Sequence, residues 1–161
     1  MVRLSLLVAA VLLGVSCGKH VDLKWSDCAL PGSHGRITAV DITPFPPVLG
    51  QNCTLTGHAI LDKAVSDGQM TLKATFAGLP IPVNPSSLPA CGDTIVRLPL
   101  NLGTITIDGL QCPQAAGNAS LTEVVLIPEI APLGTYEAQL TGVDQDGEPT
   151  VCVKLHIVVT A

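Results

Sequence analysis

The chain has 161 residues, a formal net charge of −5, and a composition that is 47% hydrophobic but only 13% charged. This mildly acidic balance argues against nucleic acids and anionic membranes as high-affinity partners, because both attract basic proteins. One Trp, one Tyr and two Phe are too few aromatic residues for a surface that stacks on bases or sugars.

Residues 1–17 have the layout of a secretory signal peptide, in which one basic residue, Arg3, precedes an apolar run and then small residues. The apolar run is shorter than the roughly 20 residues that a membrane-spanning helix needs. We therefore predict cleavage after Cys17 and one domain over residues 18–161, which works in a secreted or lumenal compartment.

Beyond this leader, apolar and polar residues alternate with period two and turn residues interrupt the pattern at short intervals, which is typical of an all-β sandwich. We predict about seven strands, over residues 36–43, 54–61, 70–76, 104–107, 121–127, 136–143 and 151–160. Residues 78–89 contain four prolines, so this segment is expected to be an extended edge rather than an interior strand.

The alternation also predicts which side chains face the core. Leu72 and Phe76 share the inward face of the strand over residues 70–76. In the strand over residues 121–127, an outward Glu123 would turn Val124 and Leu126 inward. The last strand alternates most regularly and directs five aliphatic side chains to one face, namely Val151, Val153, Leu155, Ile157 and Val159.

Five cysteines follow the predicted cleavage site, at positions 28, 53, 91, 112 and 152. In an oxidising compartment the simplest arrangement is two disulfides and one remaining thiol. The absence of a C-x-x-C cluster argues against zinc. Cys53 has no cationic neighbour in the sequence that would activate it, so we expect an inert thiol.

Motifs for catalysis or for a bound metal or cofactor are missing from the sequence. The four histidines do not form a metal-ligand pattern, and no G-x-S-x-G is present. Asp144 and Asp146 resemble the start of a calcium loop, but the later ligands are missing, so we predict a hairpin turn. Asn52 and Asn118 begin N-x-S/T sequons and are predicted glycosylation sites.

The aliphatic, proline-rich segment over residues 78–83 is open to two interpretations from the residues alone. It could be a loop packed over the core, or it could lie at the mouth of an apolar pocket between two splayed sheets. The excess of aliphatic residues in a small acidic domain is consistent with the second interpretation.

The order of several motifs resembles the ML lipid-recognition domain, in particular the Niemann–Pick type C2 proteins and the fungal phosphatidylglycerol/phosphatidylinositol transfer proteins. The resemblance covers residues 24–161 and rests on motifs that occur in the same order: Trp25-Ser26-Asp27-Cys28, Thr43-Pro44, Gly50-Gln51, Gly78-Leu79-Pro80-Ile81-Pro82, Cys91, Cys112-Pro113, Pro128, Tyr136 and Cys152.

The resemblance implies an immunoglobulin-like β-sandwich that holds a lipid between its sheets, without catalysis and without a cofactor or metal. It implies disulfides between Cys28 and Cys152 and between Cys91 and Cys112. Together with the face assignments it predicts these lipid-binding residues: Leu72, Phe76, Leu79, Ile81, Val83, Val124, Leu126, Ile130, Leu133 and Tyr136.

The resemblance also implies a monomeric lipid carrier in a secreted, endolysosomal or vacuolar location, which makes transient contact with membranes or with a lipid-accepting membrane protein. A sterol and a phospholipid are both open as ligands. Sterol-binding animal members carry an aromatic residue where this chain has Val83. The alternative function is an extracellular β-sandwich that recognises another protein, and a core without a cavity would favour it.

Overall fold

Eleven strands form two antiparallel sheets in the computed structural model, which describes residues 19–99 and 103–161. The described part contains no α-helix and therefore none that could cross a bilayer. The predicted leader, residues 1–17, lies outside the described residues. In chain order the strands are β1 His20–Asp27, β2 Gly35–Thr43, β3 Asn52–Leu61, β4 Gly68–Phe76, β5 Leu79–Ile81, β6 Ser87–Pro89, β7 Asp93–Arg97, β8 Thr104–Asp108, β9 Gly117–Leu126, β10 Gly134–Asp144 and β11 Pro149–Thr160.

The two sheets face each other as an immunoglobulin-like β-sandwich, as predicted. The first sheet has the order β1-β11-β10-β4-β5, with β6 also paired to β4. The second sheet has the order β2-β3-β9-β8-β7. Consecutive strands therefore cross between sheets several times, which brings distant parts of the chain together around one core.

The predicted strand count of about seven is too low. The seven predicted segments correspond to β2, β3, β4, β8, β9, β10 and β11. The other four are β1, β7 and the three-residue strands β5 and β6. Both short strands pair with β4 along the edge of the first sheet, on the side away from β10. The segment over residues 78–89 thus lies at a sheet edge, as its prolines predict, but two short parts of it still pair.

The core lies between the sheets and consists almost entirely of aliphatic side chains. The predicted inward faces of β4 and β11 are correct: Met70 and Leu72 are buried, and Val153 packs against the same cluster. The four aromatic residues contribute little bulk to this core, because Phe45 is exposed, Trp25 is half-buried, and Phe76 and Tyr136 stack on each other with ring centroids 4.7 Å apart.

The structure contains both disulfides that the resemblance implies. Cys28 follows the edge strand β1 and is bonded to Cys152 in β11, so this bridge fastens β1 to its neighbour within one sheet. Cys91 lies between β6 and β7, where the chain crosses from the first sheet to the second, and Cys112 lies between β8 and β9 of the second sheet. The second bridge therefore fastens this crossover to a connection of the second sheet, whereas the first reinforces the first sheet.

Removing either disulfide should destabilise the domain, and the loss should grow with the logarithm of the length of the loop that the bridge closes. The Cys28–Cys152 bridge spans 124 residues and the Cys91–Cys112 bridge spans 21. Chain entropy predicts a loss of about 5 kcal/mol for the double variant Cys28→Ala/Cys152→Ala and about 3 kcal/mol for Cys91→Ala/Cys112→Ala. Urea unfolding of both variants measures these losses, and a larger loss for the shorter loop would contradict the entropic explanation.

Candidate functional site

Two adjoining apolar cavities lie between the sheets. The inner cavity has a volume of about 80 Å³ and is bordered by residues such as Leu61, Val65 and Ala119. The rim cavity has a volume of about 130 Å³ and extends to Ile81 in β5 and to Ala131 in the loop after β9. Neither reaches the roughly 300 Å³ of a typical small-ligand pocket, so a lipid could enter only if the sheets move apart.

The two cavities share one wall, to which both sheets contribute. Glu123 of β9 lies on one side, and Leu140, Val153 and Leu155 of β10 and β11 lie on the other. Because the same four residues border both spaces, small side-chain movements at this point would join the cavities into one channel.

Three exposed aliphatic side chains lie on the two segments that border the outer part of the rim cavity. Leu79 in β5 is 71% exposed, Ile130 is 73% exposed and Leu133 is 49% exposed. We call Leu79, Ile130 and Leu133 the aliphatic rim. Apolar side chains of this size are usually buried in a small soluble domain, so a cluster of them next to a cavity indicates a contact surface.

The loop between β9 and β10 is held in place by hydrogen bonds that cross the rim. The Lys19 ammonium donates to the carbonyl oxygens of Glu129 and Ala131 at 2.8 and 3.0 Å. The Tyr136 hydroxyl donates to the Pro132 carbonyl at 2.9 Å. These bonds lie at or near the surface, so the rim can open at a modest free-energy cost.

The structure brings some of the predicted lipid-binding residues to the cavities and leaves others outside. Four of them border the rim cavity, namely Leu72, Ile81, Leu126 and Tyr136. Leu79, Ile130 and Leu133 form the aliphatic rim. Phe76 does not border either cavity, but it stacks on Tyr136 at the mouth. A Cβ atom on Gly134 would lie 2.9 Å from the Phe76 ring, so the ring packs closely over this glycine.

Val83 has a different position from the one predicted. The resemblance implies that it lies at the mouth, but it packs against the buried cluster that includes Met70, Leu88 and Val96. The loop between β5 and β6 folds Val83 back onto the core, because β6 must return to pair with β4. Val83 therefore has a structural role at the edge of the sandwich.

The predicted orientation of β9 is wrong. Glu123 points between the sheets, and Val124 lies on the outer face. The register explains this result, because Glu123 is directly opposite the buried Leu55 of β3, and opposed residues of antiparallel strands share a face. Val124 is instead paired with Thr54 and Thr106. Alternation within β9 could not reveal this, since apolar residues occupy both of its faces.

The Glu123 carboxyl has an apolar environment. Its cross-strand neighbours are Leu55 and Ile107, and the shared wall opposite it is aliphatic. Within the described residues no hydrogen bond or ion pair involves this carboxyl, and Glu123, which borders both cavities, is half-buried. Desolvation therefore raises the pKa of Glu123 from 4.5 to about 7.

Cys53 and the sequons occupy ordinary positions for an inert thiol and for surface asparagines. Cys53 is buried with Leu23 and Leu55, and burial raises the pKa of its thiol. Burial therefore favours the neutral thiol over the thiolate and keeps reagents in solution away from the sulfur. Asn52 and Asn118 are both exposed, each near the start of a strand, so their glycosylation stays a prediction.

A charged cluster lies at the opposite end of the sandwich from the rim. The Lys63 ammonium is within 2.8 Å of carboxylate oxygens of Asp144, Asp146 and Glu148. It therefore takes the position among these three carboxylates that a metal ion would need. These contacts raise the pKa of Lys63 and lower that of Asp144 to about 2. The chain makes the predicted turn here, with the Gly147 amide donating to the Asp144 carbonyl at 3.0 Å.

Comparison with known proteins identifies one matching family model. The model described as ML domain matches residues 22–159, which is nearly the whole of the described chain. The match covers every strand that borders the two cavities.

Individual relatives agree with this match. A Dictyostelium discoideum protein, provisionally named a phosphatidylglycerol/phosphatidylinositol transfer protein, is 27% identical over 133 residues, covering 83% of each chain. The phosphatidylglycerol/phosphatidylinositol transfer protein of Mycosarcoma maydis is 29% identical over 134 residues, covering 83% of this chain and 64% of its own length. The crystal structure of a Niemann–Pick type C2 protein from Japanese carpenter ant superposes on this chain with a TM-score of 0.55 and 13% sequence identity. The superposition covers 83% of this chain and 96% of that one, so the two proteins share a fold.

The buried carboxyl of Glu123 should make stability depend on pH. Its pKa is higher in the folded state than in the unfolded state, so the unfolded chain releases this proton first as the pH rises. The contribution of Glu123 to stability is then greatest below about pH 4.5 and falls by up to about 3 kcal/mol as the pH rises through 7. Glu123→Gln should remove this part of the slope in urea unfolding across pH 4–8. Asp93→Asn, at an exposed position, serves as the control, and an unchanged slope in Glu123→Gln would contradict the prediction.

Proposed function

This chain belongs to the ML domain family, and we propose that it binds the apolar part of a lipid between its sheets and transfers it. The observation that carries the proposal is the pair of adjoining apolar cavities, one of which ends at the aliphatic rim. Burial of an acyl chain there contributes about 25 cal/mol per Å² of apolar surface removed from water. Binding and release involve no covalent step, so the protein is not an enzyme.

A phospholipid is the cargo that the relatives favour. Two of them carry names that specify phosphatidylglycerol/phosphatidylinositol transfer. An acyl chain is also narrow and flexible, so it requires less separation of the sheets around the two small cavities. A sterol is rigid and needs a wider opening between the sheets, so it is the second candidate ligand.

The aliphatic rim provides the surface for transient contact with a membrane or with a lipid-accepting membrane protein. Leu79 and Ile130 are exposed on the two segments that border the rim cavity, so both could enter the outer layer of a bilayer together. The two disulfides support a secreted or lumenal location, because such bridges persist in oxidising compartments. The cavities favour this function over a protein-recognition module, for which a filled core is expected.

The proposal is tested by what the purified protein carries. Protein from a eukaryotic host should release phospholipid on solvent extraction, as measured by mass spectrometry, and should transfer phosphatidylglycerol and phosphatidylinositol between vesicles faster than cholesterol. A preparation that contains no lipid and transfers none of the three would refute lipid carriage. Faster transfer of cholesterol would keep the carrier function but change its cargo.

Filling the rim cavity should block binding. Ala138 borders this cavity and lies opposite Ala74 in the neighbouring strand, so the ring of Ala138→Phe would occupy the space for the ligand. We expect a loss of affinity for phosphatidylinositol of at least roughly tenfold, or about 1.4 kcal/mol. The control is Ala116→Phe at an exposed position before β9. Equal affinity of both variants would place the ligand outside this cavity.

A charge on the aliphatic rim should slow transfer without weakening binding. Ile130→Asp places a carboxylate where an apolar side chain would meet the membrane, and Ile130 makes no contribution to the core. We expect at least a roughly fivefold slower vesicle-to-vesicle rate, because a desolvated charge is costly at a bilayer surface, and unchanged equilibrium affinity. Ile95→Asp, on the outer face of β7, is the matched control because Ile95 is also exposed. An equal effect of the two substitutions would indicate a nonspecific role of surface charge.

A further inference from the structure

Glu123 is an acidic side chain inside a space that is otherwise aliphatic. It borders both the inner cavity and the rim cavity, so its carboxyl lies where a bound lipid would pass from one to the other. The side chains opposite it are Leu140, Val153 and Leu155, and its neighbours along the sheet are Leu55 and Ile107. In the part of the chain that the structure describes, no protein group hydrogen-bonds or ion-pairs with this carboxyl, and the residue keeps partial accessibility.

An unsatisfied polar group in an apolar pocket lowers the affinity for a purely apolar ligand and raises it for a ligand that supplies the missing hydrogen bond. Pockets for small molecules are usually lined by apolar side chains, with a few placed polar groups that fix the orientation of the ligand. Glu123 has the position of such a group. When a lipid displaces water from the cavities, the cost of desolvating this carboxyl is offset if a polar atom of the ligand lies beside it.

We propose that Glu123 is the residue that determines ligand specificity, and that it hydrogen-bonds a hydroxyl group on the apolar part of the bound lipid. This inference rests on the proposed function and specifies its ligand class. The hydroxyl must be remote from the headgroup, because the headgroup stays at the aliphatic rim while Glu123 lies at the inner end of the rim cavity. A hydroxylated acyl chain and a sterol hydroxylated on its side chain both offer this chemistry.

A hydroxyl suits the site better than a charged group. An ammonium would need an ionised partner and would lose its hydration among aliphatic side chains. A second carboxylate would be repelled by the first one when both are ionised. The neutral Glu123 carboxyl both donates and accepts a hydrogen bond, and the ionised form still accepts one. A hydroxyl can therefore hydrogen-bond Glu123 in either protonation state. Desolvation, which raises the pKa of Glu123 to about 7, keeps the neutral form abundant at near-neutral pH.

The test compares two pairs of lipids that differ by one hydroxyl. The first pair is phosphatidylinositol with a stearoyl or a 12-hydroxystearoyl chain, and the second is cholesterol or 25-hydroxycholesterol. Affinities are measured at pH 5.5 and 7.5 for the purified wild-type protein and for Glu123→Leu, Glu123→Gln and Asp93→Leu. The first pair reports an acyl source of the hydroxyl and the second a sterol source. Asp93→Leu removes a carboxylate from the exposed edge strand β7 of the same sheet.

We expect the wild-type protein to bind the hydroxylated member of at least one pair roughly tenfold more tightly. Glu123→Leu should abolish this preference and bind the plain lipid at least as tightly as the wild type. Glu123→Gln should retain most of the preference because its amide still hydrogen-bonds, and Asp93→Leu should behave like the wild type. Thermal unfolding of each variant verifies that it is folded, and the wild-type preference tests the inference even if one variant does not fold.

Two results would overturn the inference while leaving lipid carriage intact. One is equal wild-type affinity for both members of both pairs, and the other is a preference that persists in Glu123→Leu. A wild-type protein that binds none of the four lipids would overturn the proposed function as well. The three results are distinguishable, because only the last one lacks binding of the plain lipids.

Discussion

The whole structure depends on the burial of two aliphatic sheet faces against each other. Val, Leu, Ile and Ala side chains supply nearly all of this contact, while the few aromatic side chains lie at the rim or on the surface. The two cavities lie within this aliphatic contact, so their lining is apolar apart from a few residues such as Glu123.

The two ends of the sandwich are closed by interactions of very different strength. At the inner end, the two crossovers that precede β4 and β7 are both fastened to the connection between β8 and β9. The Cys91–Cys112 bridge holds one crossover, and the backbones of Val65 and Gln114 hold the other by hydrogen bonds of 2.9 and 2.8 Å. At the rim, the loop after β9 is held by hydrogen bonds from the ammonium of Lys19, which precedes β1, and from the Tyr136 hydroxyl, both near the solvent. Covalent and backbone links resist separation more than side-chain bonds at the surface do. The rim end is consequently where the sheets can part.

Much of the fold and only part of the site follow from residue patterns. Alternation in β4 and β11 predicts their buried faces, because Leu72 and Val153 each belong to a strand with one polar and one apolar face. The same rule fails for β9, whose Val124 and Val125 lie on opposite faces with similar hydrophobicity. Burial of a carboxylate is costly, so the pattern places Glu123 outside, yet the pairing of β9 with β3 decides otherwise.

The residues alone are sufficient for the fold class and for the aliphatic character of the interior, because these depend on composition and on local periodicity. The pairing of the cysteines is implied by the family resemblance and not by residue patterns. Tertiary structure alone decides which cysteine-linked strands share a sheet, that Val83 packs on the core, and that Glu123 enters the cavities. These features depend on cross-strand register between segments far apart in the chain. A one-residue change of register would reverse every side chain of β9, and no pattern within β9 distinguishes the two arrangements.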